Sequence, residues 1–405
     1  MHYARELTAQ VLLAALLLAA AAPAAHATDY HWIGAGTGGN IATEPLNTTT
    51  QWNNPANWQE GKVPTSTDKA ILPLANAGYV NAQTAVVQGL RVDGPSQDGA
   101  FYIGAGAAVS TPGGWGVNVG LYSQGRILQT GGSLTVGAGL SVGAGAGGNG
   151  SYRLEGGTLT SKFDEYIGYL STGTFTQTGG THIAQGALNV GYGGKGVLNM
   201  GGGTLTAGSL IVGFGGTLNV TNAQAVVRAG QFTLQPGSSL TGVAGSQVHI
   251  ISQNNPYFYI YSQDEAALAG LADLTVVFDG DTTGWIGALE VAGADRGPTL
   301  AGFEDNFALG GLVLGYGNPA RVALLDRVDN GNRSSAEALY VHNLTIGAGS
   351  RLDLGGLNLY YDGTLLNQGT IIGGSPQFVP EPATVGILVA GLAGLLIRTG
   401  RKAWA

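Results

Sequence analysis

Hydrophobic and polar residues alternate through the middle of the chain, and glycine breaks the alternation at regular intervals. In "GVLNMGGGTLTAG" Leu198 and Met200 flank Asn199, the period-two signature of a strand with one buried face. Apolar-Gly pairs recur at Val119-Gly120, Val142-Gly143, Ile167-Gly168, Val190-Gly191 and Val212-Gly213, so successive spacings are 23, 25, 23 and 22 residues. Each full unit carries such a pair, a glycine-rich turn, an alternating strand, then Gly-Gly-Thr/Ser and a second short strand. One unit cannot bury its apolar face alone, but a stack of like units can. About 23 residues at roughly 3.3 Å each, with corners, fits one turn of a solenoid. The pattern therefore predicts an all-β, right-handed parallel β-helix over residues 101–245. Aligned Thr, Ser and Asn would form side-chain ladders between its coils. A β-sandwich of short strands is the alternative, although its hairpins would recur nearer every 8–12 residues, by about half the spacing seen.

The flanks differ from the repeats. Residues 28–100 hold Trp32, Trp52 and Trp58, three of the six Trp, together with Ile71, Leu72, Val80, Val86, Val87, Leu90 and Val92. They read as a cap and first coils, because the open end of a stack must be closed. Trp52 and Trp58 fit a plug for that cap, and the other use for them, with Trp115, is stacking on sugar rings. Residues 246–376 lose the 23-residue rhythm and read as a continuation of the β-structure or a second β-unit. Within them "DEAALAGLADL", residues 264–274, is the one stretch that predicts a soluble helix, with Ala267, Leu268, Leu271 and Leu274 on one side.

The two ends carry a different message. Residues 1–27 combine Arg5, an apolar run over 11–22 and the small-x-small site Ala25-His26-Ala27, the layout of a secretory signal peptide cut after Ala27. The alternative, an uncleaved membrane helix, has too short an apolar run. At the other end, Pro380-Glu381-Pro382 precedes an apolar run over 383–397 and then Arg398, Arg401 and Lys402. As a helix that run is about 22 Å long, short of the roughly 30 Å hydrocarbon core, so it spans only with its flanks or by thinning the bilayer. The basic cluster favours the cytoplasmic side, which places the body outside.

Composition narrows the chemistry. Among 405 residues there are 71 Gly, no Cys and only 10% charged residues, with 44% hydrophobic. That hydrophobic share supports a core, and the absence of Cys excludes disulfides, thiol nucleophiles and zinc-cysteine sites. A net charge of −8 argues against a nucleic-acid partner. Between residues 101 and 250 the charged groups are only Arg126, Arg153, Glu155, Lys162, Asp164, Glu165, Lys195 and Arg228. Asp164 and Glu165 are sequence neighbours and point to opposite faces of a strand. Such a floor lacks the facing carboxylates a glycosidase needs, and the acids of the rival enzyme reading are Asp164, Glu165, Asp279 and Asp281. The expectation is a protein without catalytic residues.

Cofactor signals are sparse, and none is expected. Gly34, Gly36 and Gly39 fit Gly-x-Gly-x-x-Gly, but no βαβ unit follows. "DRVDNGNRSSAE", residues 326–337, places Asp326, Asn330 and Glu337 at positions one, five and twelve of an EF-hand-like loop. Val328 stands where an oxygen ligand is needed, so a polar turn is preferred and calcium at Asp326, Asn330 and Glu337 is the alternative. Sequons at Asn47, Asn219, Asn332 and Asn343 matter only in a eukaryotic secretory route.

Pro380, Glu381, Pro382, the apolar run and the basic cluster of residues 379–405 resemble the PEP-CTERM sorting domain of Gram-negative bacteria. The tail departs from that pattern in having "RTGRK" in place of a compact Arg block. The resemblance implies a C-terminal transmembrane sorting helix, recognition and processing by an exosortase-type membrane enzyme, and transient contact with the inner membrane. It also implies a place in the cell envelope, at the surface or in an exopolysaccharide matrix. The repeats separately resemble autotransporter passenger repeats, which implies a surface role and carries no catalytic residue across. Together these readings predict an exported structural or adhesive protein whose partners are extracellular polysaccharide or other copies of itself. The rivals are a β-helical polysaccharide-degrading enzyme and a glycan-binding module.

Overall fold

A computed structural model describes residues 27–34, 51–73, 78–94, 100–251, 255–281, 284–330 and 336–380. They form a parallel β-solenoid of about 12 turns with almost no helix. Eight strands from Gly78–Val80 to Ser239–Thr241 stack as one sheet, and 26 others form a second that folds around the remaining sides. The ladders are parallel except where Gly293–Ala294 meets Glu337–Ile346. The apolar-Gly pairs found in the sequence are register partners: Val119 faces Val142, then Ile167, Val190 and Val212 in turn.

Local chemistry explains the coil. In Asn149–Leu154 the side chains of Tyr152 and Leu154 turn inward, while Ser151 and Arg153 turn outward. Inside, equivalent positions stack: Tyr152 lies over Phe175 at 4.9 Å and Phe232 over Phe258 at 5.0 Å. The corners need glycine. Gly168 has φ +76°, and a Cβ there would stand 2.4 Å from the Lys195 carbonyl carbon of the next coil.

The predicted side-chain ladder is present. On the outer face of the eight-stranded sheet, Asn199 donates to Thr176 (3.2 Å), Asn219 to Asn199 (2.8 Å) and Thr241 to Asn219 (2.7 Å). Four successive coils are joined by one row of polar side chains.

Residues 246–376 continue the same stack, and one apolar core runs from Trp32 to Leu359. The rhythm is lost because corners lengthen while strands persist. Val212 pairs with Leu234, Leu234 with Ile260, Phe258 with Leu289 and Leu289 with Leu324, steps of 22, 26, 31 and 35 residues. The helix expected over 264–274 is corrected to a 3₁₀ segment, Ala266–Asp273, broken at Leu268. Leu268 and Leu271 are buried at the end of the eight-stranded sheet, and Leu274 already opens the strand Leu274–Phe278. Three inward leucines satisfied the helical spacing, but the corner is too tight for α turns.

At the first coils Trp32, Trp52 and Trp58 meet edge to face, with ring centroids 5.1 and 4.8 Å apart. Trp58 Nε1 donates to the Trp52 carbonyl at 2.9 Å. All three are buried in the apolar core. Among the described residues no helix is long and apolar enough to cross a membrane. Pro380 is the last described residue before the tail. Ala25, Glu381, Pro382, Arg398, Arg401 and Lys402 lie outside the described residues, as do the apolar run over 383–397, Gly36 and Gly39.

Candidate functional site

Three surfaces carry side chains beyond what stacking needs. The first is the outer face of the eight-stranded sheet. A shallow groove of about 370 Å³ is lined there by Gln124, Arg126, Asn149, Ser151, Arg153, Thr174 and Thr176. All of these project outward because strand alternation sends Ile127, Tyr152 and Phe175 inward. Arg153 is engaged with Glu155 at 2.5 Å. The groove offers amide, hydroxyl and guanidinium donors without a carboxylate among its lining residues.

The second surface is aromatic. Trp52 and Trp58 are only 1% exposed, so the sugar-stacking role considered for them is corrected: both faces are spent on the cap. Trp115 is 58% exposed, but the Lys69 ammonium sits 3.3 Å from its ring centroid and covers one face. The surface aromatics that sequence reasoning missed follow the apolar-Gly pairs directly: Tyr169, half-buried, and Tyr192 and Phe214, both exposed. Tyr169 and Tyr192 stack at 5.4 Å with an interplanar angle of 10°, and Tyr166 meets both edge-on. Rings stacked along the coil axis turn their faces to each other and their edges to solvent. The ridge therefore stabilises the stack more than it offers a platform for a sugar.

The third concerns the acids. Asp164 is exposed and accepts from the Ala187 N–H at 2.9 Å, while Glu165 turns inward to His182. Asp279 is held by His249 (2.6 Å) and Arg228 (3.4 Å), and Asp281 accepts from the Gly284 N–H at 3.1 Å. Each of these four carboxylates has a local partner. Among the described residues the acids that gather are Glu290, Asp326 and Glu337, which each bring one oxygen within 4.8 Å of the others.

Strand register brings them together. Glu290 ends the strand Ile286–Glu290 and pairs with Leu325 of the next coil, which puts Asp326 beside it. Glu337 begins Glu337–Ile346. Glu290 Oε1 accepts from the N–H groups of Arg327 (2.6 Å) and Val328 (2.7 Å), and Glu337 Oε1 from that of Asn330 (2.8 Å). The second oxygens, Glu290 Oε2 and Glu337 Oε2, are buried without a partner. Burial pushes the Glu337 carboxyl up to about 7, and the charges of Asp326, Glu290 and Asp329 add to that against the pull of the Asn330 N–H. Glu290 is also raised, chiefly by burial, against its two N–H bonds.

Asp326 and Glu337 converge, flanked by the strands Arg321–Leu325 and Glu337–Ile346, and the third acid beside them is Glu290, which was not singled out. Asn330 spends its amide on the Ile260 (2.9 Å) and Ser262 (2.8 Å) carbonyls. Its Oδ1 is buried and without a partner. The chain matches no protein-family model, no curated protein and no solved structure.

Proposed function

We propose that this chain is an exported, non-catalytic structural and adhesive protein of a Gram-negative cell surface or exopolysaccharide matrix. The observation that carries the reading is the outer polar face of the eight-stranded sheet. The Thr176–Asn199–Asn219–Thr241 row continues the donor-rich groove at Arg126, Asn149 and Arg153 on a rigid stack. Such a face suits many weak hydrogen bonds to an extended glycan, and the two arginines favour one bearing carboxylates. The local engagement of Asp164, Glu165, Asp279 and Asp281 supports a role without catalysis.

Export belongs to the same reading. Residues 1–27 act as a signal peptide and residues 379–405 as a PEP-CTERM address with a transmembrane helix, processed by an exosortase-type enzyme at the inner membrane. Right-handed winding of the coils follows from the preferred hand of parallel β-connections. Retention on immobilised exopolysaccharide tests the adhesive part. The chain is expected to be retained by an acidic polymer and released by salt, and Arg126→Ala with Arg153→Ala to lower retention about tenfold. Equal retention of that variant on the same polymer sinks the assignment of this face.

A further inference from the structure

We propose that Glu290, Asp326 and Glu337 form a calcium site that clamps Asp326 and the start of the strand Glu337–Ile346 onto the end of the preceding coil. Each brings one oxygen within 4.8 Å of the others, the span of a coordination sphere whose bonds are about 2.3–2.6 Å. Glu290 is 1% exposed and Glu337 2%, yet each keeps one buried oxygen, Oε2, without a hydrogen-bond donor. The other oxygen of each is fixed by backbone N–H groups, so both carboxylates are already oriented.

Buried carboxylates held together are costly unless a cation joins them. Among the described residues no Lys, Arg or His makes an ion pair with any of the three. The nearest guanidinium in sequence, that of Arg327, bonds to the Tyr259 hydroxyl at 3.2 Å, and its charge favours the Glu290 carboxylate only from outside ion-pair distance. Three carboxylates without His or Cys are a hard, all-oxygen donor set, which favours calcium over zinc. Asp326 is exposed and gives the ion its path from solvent, where water completes the coordination. The ligands come from the end of one coil, the corner of the next and the start of the strand that follows. Binding therefore ties the end of one coil to the corner of the next and to the strand that follows it.

The test uses the whole chain, stripped with chelator and titrated with calcium chloride by calorimetry and thermal melting. One saturable site per chain is expected, with an upward shift in melting temperature of about 2 °C or more at saturation. Magnesium should bind at least about tenfold more weakly. Glu290→Gln and Glu337→Gln should each weaken calcium about tenfold or more, and exposed Asp326→Asn, which leaves the fold intact, should weaken it as well. Terbium emission sensitised by nearby tyrosine and displaced by calcium gives a second readout. No saturable binding up to about 10 mM calcium, or full affinity in Asp326→Asn, overturns the proposal. Either result leaves the reading of the polar face untouched.

Discussion

His182 Nε2 lies 2.8 Å from Glu165 Oε2 inside the solenoid, and the two side chains are 0% and 1% exposed. The pair sits among stacked rings, with Phe175 against the His182 ring at 4.8 Å. Glu165 Oε1 and His182 Nδ1 have no hydrogen-bond partner, so each side chain depends on the single Nε2–Oε2 contact.

Removing one member strands the other. Glu165→Ala or His182→Ala is expected to cost about 3–5 kcal/mol, whereas replacing both by Leu should cost far less. Denaturant midpoints of the three variants check this, and equal losses in single and double variants would contradict it.

The corner glycine at Gly168 predicts a local failure of stacking. Gly168→Ala combines a left-handed φ with a backbone clash and should cost at least about 1–3 kcal/mol. Gly114→Ala, where nothing lies within 4 Å, should stay within about 0.5 kcal/mol. Thermal melts followed by circular dichroism compare the two.

Trp52 closes the first coils against Trp58 and Phe101. Trp52→Ala is expected to cost about 3–5 kcal/mol through the cavity it leaves. Proteolysis should then begin in residues 51–94, while glycan retention by the surviving folded chain is unchanged.

In chelator, stability should fall as pH rises. The Glu337 carboxyl stands at about 7 in the folded chain against an ordinary 4.5, so below about 4.5 it is protonated in both states and the full stability is present. Between those values only the unfolded chain ionises, and about 3 kcal/mol is lost by the time pH passes 7. Melting temperatures in chelator from pH 4 to 8 measure this. Glu337→Gln should flatten the slope, and calcium should restore stability most at the alkaline end.

The coil was legible where its corners were short. Val119, Val142, Ile167, Val190 and Val212 announced the register because each turn used nearly the same number of residues. After Leu234 the strands stay in step, but corners of growing length hide the period. The inward spacing of Leu268, Leu271 and Leu274 imitated a helix because a tight corner and an α turn both return residues to one side. Asp326 and Glu337 were visible as an acidic turn. Glu290 was not, since only the pairing of one coil with the next brings it there. The cap tryptophans were legible as a plug, whereas Tyr169 and Tyr192 were overlooked as the variable residue after each Gly.

The most direct measurement is the intact mass and terminal peptide map of the protein recovered from native surface and medium fractions. The account predicts a chain that begins at Thr28 and ends near Pro382, freed of its tail and associated with the matrix. A membrane-bound chain that still carries residues 397–405 would contradict it.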